Sequence, residues 1–510
     1  MIDDRTHPDA VATRTASGEI QPILPGFHPD PTICRVGNDY YLATSSFEYF
    51  PGAPIFHSTD LVSWRQIGNI LDRRSQFRRG TPGPSSGIYA PTLRHHEGRF
   101  WFIATNASAF EDGQLIVHAE NPAGPWSEPV LVREAIGIDP DLAWDDDGTC
   151  YLTWHDLDFV RGGAGILQAP IDLTTGELLS VPYPVWQGTG MVAAEGPHLY
   201  RIGEWWYLML AEGGTERGHA VTIARAPRPQ GPYEACPRNP VLTRRSSGHL
   251  VQNTGHADLV DTPDGGWVAV YLGVRATGST PKFHVLGRET FLAGVTWSDG
   301  WPQVDTAAFE VPVPATSFRD HFAGGVLDPR WVVPGGDASD VVDVDARGGL
   351  RLRPVDGGAA QVLCARVRDL RWSARVEIDG SAGFFVRIDD RHWYGLQSDG
   401  ARVRASARIG DVTQDMGEIR FAGGTVTLEI DAVAAPPAAT PGASIGPDQI
   451  VLTVVAGDTR TELARLDGRY ISTEVASGFT GRMLGIVPGA APGRVRSVVY
   501  SPLDNGGSRS

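Results

Sequence analysis

The chain has 510 residues, 41% of them hydrophobic and 20% charged, with 44 Lys and Arg against 60 Asp and Glu for a formal net charge of −16. That length exceeds one ordinary core and predicts two or more domains. The acidic balance opposes the phosphate attraction on which nucleic acids and anionic membranes depend, so neither is expected as a partner and a neutral ligand is the better default.

Residues 1–18 are polar and predict a disordered or loosely attached segment without the apolar core of a signal peptide; no apolar run elsewhere is long enough to span a bilayer, so cytoplasmic residence is expected. Next comes Gly26-Phe27-His28-Pro29-Asp30-Pro31-Thr32-Ile33. Prolines on both sides predict an Asp30 carboxylate whose direction is set by covalent geometry. That suits a catalytic base if partner acids exist, and a proline-rich turn with an exposed Asp if they do not.

From here one pattern returns five times: a turn carrying Gly, Asn or Asp, then an aromatic-rich apolar strand. Its copies are Asn38-Asp39-Tyr40-Tyr41-Leu42, Gly98-Arg99-Phe100-Trp101-Phe102, Gly148-Thr149-Cys150-Tyr151-Leu152, Glu204-Trp205-Trp206-Tyr207-Leu208 and Gly265-Gly266-Trp267-Val268-Ala269. Such turns feeding β-branched and aromatic runs are hairpin signals, and recurrence every roughly 50 to 60 residues predicts a five-bladed β-propeller around a central funnel. Helical periodicity is nearly absent, so the fold class is all-β. The propeller is expected over 19–310, a stiff Pro-rich linker over 311–317, a jelly-roll-like β-sandwich over 318–503 and a tail over 504–510. Ala and Pro enrichment from Ala434 to Gly446 predicts a flexible surface insertion. The four scattered cysteines, Cys34, Cys150, Cys236 and Cys364, form no CxxC pair and read as buried thiols, not a zinc or disulfide framework.

A funnel gathers the innermost strands of different blades, so acids distant in sequence can converge. The second framed acid lies in Gly137-Ile138-Asp139-Pro140-Asp141, where spacing alone leaves Asp139 and Asp141 open. Asp145, Asp146 and Asp147 precede Gly148 in a hairpin turn and read as solvated. The third is Glu195 in Ala193-Ala194-Glu195-Gly196-Pro197, a lone acid in small apolar surroundings whose burial would raise its pKa as a general acid requires. A strand-end glutamate paired with an arginine is the plainer alternative.

Together these segments resemble glycoside hydrolase family 43, nearest to the β-xylosidase and α-L-arabinofuranosidase group with an appended sandwich domain. The resemblance runs from the Gly-Phe-His-Pro-Asp-Pro segment to Gly478-Phe479-Thr480-Gly481. It implies an inverting hydrolase with Asp30 as general base, Glu195 as general acid and Asp139 as the acid that orients the site and tunes Glu195. It further implies Phe47 on the pocket wall, Tyr89 where the family usually carries Trp, Arg288 reaching both sugar and acids, and Phe479 lent to the rim by the sandwich. For Tyr89 a core role is an equal alternative, and for Arg288 a structural ion pair with Glu289. His256 in Thr254-Gly255-His256-Ala257-Asp258 matches a histidine on the propeller axis, often near a bound cation; a structural calcium ligated mostly by water is carried as an expectation, and no cofactor is required for the chemistry.

The expected function is therefore release of terminal β-D-xylose or α-L-arabinofuranose from xylo- or arabinoxylo-oligosaccharides. A non-catalytic carbohydrate-binding propeller is the alternative from another class. The related fructan-cleaving group carries an Asn-Asp-Pro-Asn type motif that His28-Pro29-Asp30-Pro31 does not match. Oligomeric state is left open, a homo-oligomer included.

Overall fold

The computed structural model describes residues 20–78, 83–157, 165–354, 361–438, 440 and 442–503. The expected N-terminal segment 1–18 and tail 504–510 lie outside them.

Five antiparallel sheets follow one another from Thr32 to Asp305. Their innermost strands are Thr32–Val36, Thr92–His96, Gly137–Trp144, Glu195–Ile202 and Val251–Asp261. Each lies against the next and the fifth against the first, which closes a five-bladed propeller. The repeated turns join each innermost strand to its neighbour, as in the pairing of Val36 with Asp39 around Gly37 at φ 64.

The long apolar runs follow from burial on both faces of a blade. In Trp205–Glu212, Trp206, Leu208 and Leu210 pack with Ala143, Ile166 and Leu199 toward the third blade. Tyr207 and Met209 point the other way, into a cluster with Tyr271 and Phe291 of the fifth. The stretch before the first blade is stitched to the last one: Ile23 N–H donates to the Thr290 carbonyl at 2.9 Å, and His28 N–H to the Arg288 carbonyl at 3.1 Å. This seam sets Asp30 beside Arg288.

After an extended run the chain enters a sandwich whose first strand is Phe318–Asp320. Its spine is Trp372–Arg387, where Trp372, Ala374, Val376 and Ile378 are fully buried and alternate with more exposed residues. The first half of this strand pairs with Thr425–Val433 and the second with His392–Asp399. Met483–Pro502 accompanies it throughout, with register shifts at Glu377/Ile378 and Gly380/Ala382. Those bulges bend both strands so that each serves both layers around one core. Among the described residues the α-helices are the four-residue Ala338–Val341 and Thr473–Ala476.

The two domains are docked closely. Val333–Pro334 of the sandwich pairs with Tyr49–Phe50 of the propeller. Buried Arg366 donates from Nε to the Phe27 carbonyl at 2.7 Å. The expected flexible insertion is corrected in part: Ser279 and Ile445 exchange backbone hydrogen bonds at 2.9 and 3.2 Å, tying the end of that stretch to the fifth blade. Compositional bias did not reveal that partner. A cleft of about 810 Å³ between linker and propeller, lined among others by Trp64, Pro312 and Arg368, contains none of the candidate site residues. All four cysteines are buried and free, and no helix among the described residues is long and apolar enough to cross a membrane.

Candidate active site

Asp139 and Glu195 stand at irregularities in the innermost strands, and Asp30 lies two residues ahead of the first of these strands. The pairing shifts register between Ile138 and Asp141, between Glu195 and His198, and in the fifth blade between Gly255 and Asp258. A bulge takes a residue out of the in-and-out alternation and re-aims its side chain. Asp139 and His256 accordingly have φ of 57 and 44, and Gly196 beside Glu195 has φ 57; Asp30, ahead of its strand, has φ 52. Prolines follow at Pro31, Pro140 and Pro197, where the ladder is interrupted and no N–H is needed.

For Asp30 this corrects the expectation that flanking prolines alone aim the carboxylate. Left-handed backbone at a non-glycine residue is disfavoured and persists where its surroundings hold it. Here they are the seam to Arg288 and the Ser45 N–H donated to the Pro29 carbonyl at 3.2 Å.

The Asp30 carboxylate is 4% exposed and receives Arg288 Nη1 on Oδ1 at 2.7 Å and the Ser45 hydroxyl on Oδ2 at 2.5 Å. Arg288 Nη1 also donates to Thr215 Oγ1 at 3.0 Å, and His256 Nδ1 lies 3.6 Å from Asp30 Oδ1. Glu289 is not the partner of Arg288; it pairs with Arg275 at 2.7 Å and accepts the Gly26 N–H at 2.8 Å. Asp139 accepts the Gly196 N–H at 3.0 Å, which links it to the residue after Glu195.

Burial, then the Asp30 charge, push Glu195 up to about 7 against the pull of Arg288. Burial, then the Glu195 and Asp30 carboxylates, push Asp139 well above the ordinary range, opposed by the Gly196 N–H and Arg288. Three carboxyls therefore share one guanidinium, and the Asp139–Glu195 pair retains a proton where ordinary carboxyls have lost theirs.

Aromatic rings from both domains form one wall. Phe47 and Phe479 stack with centroids 5.6 Å apart, and Tyr89 meets Phe47 at 5.2 Å and Phe479 at 6.1 Å. The Arg288 guanidinium lies 5.6 Å from the Phe47 ring and 5.5 Å from Phe479. Tyr89 thus joins the aromatic cluster of Phe47 and Phe479, with Phe110 at 6.3 Å behind it.

Within Asp139-Pro140-Asp141 the two acids have different partners. Asp141 is fully buried and paired with Arg94 at 2.7 Å. Arg94 also binds Asp258 at 2.7 Å and His198 Nδ1 at 3.1 Å, while Thr32 and Tyr200 donate to Asp258 at 2.8 and 2.6 Å. One guanidinium so joins all five innermost strands. Burial alone would raise Asp258, but Arg94 and His198 hold it below the usual carboxylate range. Sequence reasoning missed this hub; its signal is that Thr32, Asp141 and Asp258 each lie two residues beyond Asp30, Asp139 and His256.

Burial pushes His256 down to about 4 although Asp30 pulls it up, so at neutral pH it is an uncharged neighbour of Asp30. Among the described residues no three His, Cys, Asp or Glu side chains converge as a metal-binding set. An imidazole is a poor ligand for calcium, and Asp30 and Asp258 are already engaged, so the donor set does not fit that ion and no step below uses it.

Residues 20–302 match the family model described as glycosyl hydrolases family 43, and residues 319–491 match the beta xylosidase C-terminal concanavalin A-like domain. The chain belongs to glycosyl hydrolase family 43. A non-reducing end alpha-L-arabinofuranosidase from Bacteroides ovatus is 37% identical over 508 residues, covering 91% of this chain and 90% of that one. A xylosidase/arabinosidase from Butyrivibrio fibrisolvens is 45% identical over 335 residues, 61% of this chain and 64% of its own length. The crystal structure of a xylan beta-1,4-xylosidase from Bacillus halodurans superposes with a TM-score of 0.85 at 29% identity, covering 95% of this hydrolase and all of that chain. In this hydrolase the acid cluster holds one carboxyl protonated near neutral pH and another on the fixed fork of Arg288.

Proposed function

We propose that this hydrolase is an inverting exo-glycosidase that releases terminal β-D-xylose or α-L-arabinofuranose from xylo- or arabinoxylo-oligosaccharides. Asp30 takes a proton from a water as its oxygen attacks the anomeric carbon. Glu195 gives its proton to the departing glycosidic oxygen; burial and the Asp30 charge keep it protonated, and Asp139, which accepts the Gly196 N–H, orients the site around it. Arg288 orients Asp30, while Phe47, Tyr89 and Phe479 offer ring faces to the C–H face of one sugar. The observation that carries the reading is the three-carboxyl cluster with a single guanidinium, in which Glu195 is raised to about 7. The pentose specificity draws support from the xylosidase and arabinofuranosidase relatives.

The test is release of nitrophenol from p-nitrophenyl β-D-xylopyranoside and α-L-arabinofuranoside by wild type and by Asp30→Ala. Release by wild type and its loss in the variant are expected. Unchanged release by Asp30→Ala would overturn the mechanism, and no release by wild type would leave carbohydrate binding without catalysis.

A further inference from the structure

Phe479 reaches the pocket from the sandwich, yet the propeller holds its backbone. Its N–H donates to Ser85 Oγ at 2.8 Å. Ser85 is 8% exposed and sits at φ 60, a conformation a serine keeps only when held. Its own N–H donates to Glu48 Oε2 at 3.0 Å. Glu48 directly follows the pocket residue Phe47, and its carbonyl accepts the Gly335 N–H of the sandwich at 2.7 Å. Three segments therefore meet at one serine: the Phe47-Glu48 loop, the loop ending at Gly87, and the sandwich turn that carries Phe479.

Two glycines make the meeting possible. A Cβ on Gly478, at φ +85, would stand 2.4 Å from Ser85 Oγ, and one on Gly87, at φ +86, would stand 2.1 Å from the Phe47 carbonyl oxygen. Further along the same turn, Arg482 N–H donates to the Val285 carbonyl at 2.9 Å. The bond to Ser85 is what fixes Phe479 itself, a ring that remains 37% exposed. An aromatic that keeps over a third of its surface in solvent is held only in part by its ring contacts, so the direction of its backbone helps decide whether it stacks on Phe47 and lies over Arg288.

We propose that Ser85, oriented by Glu48, is a positioning residue that fastens the sandwich's Phe479 over the pocket and so sets how tightly the terminal sugar is held. The proposal rests on the glycosidase reading for its consequence, but not for its geometry. Loss of the bond removes binding shared by ground and transition states, which raises KM and spares kcat.

Ser85→Ala is expected to raise KM for the nitrophenyl pentoside about 5- to 10-fold with kcat changed less than about threefold. Phe479→Ala is expected to do the same or more, and the double variant no more than Phe479→Ala alone, because both changes act through one ring. Glu48→Gln keeps an acceptor oxygen and retains the wild-type KM that Glu48→Ala loses. Hydrogen exchange of the peptide spanning residues 477–481, read in the full chain, quickens in Ser85→Ala while the thermal midpoint stays put. Gly478→Ala, which blocks the approach from the sandwich side, gives the same pair of signatures should Ser85→Ala fail to fold.

Multiplicative effects of Ser85→Ala and Phe479→Ala on KM would overturn the proposal. So would unchanged exchange at 477–481 in both Ser85→Ala and Gly478→Ala. If wild type releases no nitrophenol, the glycosidase reading fails and the exchange experiment alone decides whether the fastening exists.

Discussion

The innermost propeller strands and the segments leading into them carry two sets of ionisable side chains that differ in how their carboxyls are partnered. Asp30, Asp139 and Glu195 share the single guanidinium of Arg288, and burial leaves Asp139 and Glu195 reluctant to ionise. Asp141 and Asp258 surround Arg94, with His198, Thr32 and Tyr200 completing their hydrogen bonds. The same strands thus build a set with a proton to give and, beside it, a set whose charges are satisfied. Carboxyls raised by burial and by one another make the first set a candidate for proton transfer, whereas carboxylates held by a shared guanidinium and neutral donors make the second a scaffold.

The comparison breaks most visibly when one member is removed from each set. Glu195→Gln should lower kcat/KM on a pentoside with a poor leaving group by about 10²- to 10⁴-fold, with the fold intact by thermal melting. Arg94→Met should do the reverse in kind: it strands two buried carboxylates and costs about 3–5 kcal/mol in denaturant unfolding. Equal loss of stability in both variants would erase the distinction between the sets.

Proton position sharpens it further. Glu195 must be protonated and Asp30 ionised to act, so kcat/KM should follow a bell whose basic limb falls toward tenfold per pH unit above about 7. Asp139→Asn leaves the burial and the Asp30 charge that raise Glu195, so that limb should stay near 7 in the full pH–rate profile. Stability follows the same sign. Because folding raises the pKa of Glu195, the folded state binds more protons than the unfolded one between 4.5 and about 7, and this group's contribution is lost as pH rises through that window. Glu195→Gln should therefore be stabilised relative to wild type more at pH 8 than at pH 5, as the difference in thermal midpoint shows.

The smallest effect belongs to a third kind of acid. Asp145 accepts the Asp146 N–H at 2.8 Å and Asp147 the Thr149 N–H at 2.9 Å, so these residues shape a hairpin turn in solvent. Asp146→Asn should leave kcat/KM within about twofold, since exposed charges and their pairs contribute little.

Much of this was legible in the chain. The blades announced themselves because each inner hairpin needs a turn residue such as Gly37 or Gly148, followed by a strand buried on both sides. The candidate acids stood out because each lies next to a proline or Gly-Pro at the head of an innermost strand. What stayed hidden depends on contacts between distant segments. The left-handed turn at Asp30 is held by a seam to Arg288, and the different surroundings of Asp139 and Asp141 depend on Arg94, which is three blades' worth of sequence from its other partner Asp258. No local pattern specifies those partners. Phe479 entered through family resemblance alone; its place over Arg288 depends on Ser85, which no motif singled out.

The central claim is that Asp30 activates water against the anomeric carbon while Glu195 protonates the leaving oxygen. Proton NMR of the sugar first formed from a β-D-xyloside, recorded before mutarotation, tests it most directly. The account predicts α-D-xylose as the initial product; β-D-xylose appearing first would mean retention, and would contradict a water-activating Asp30.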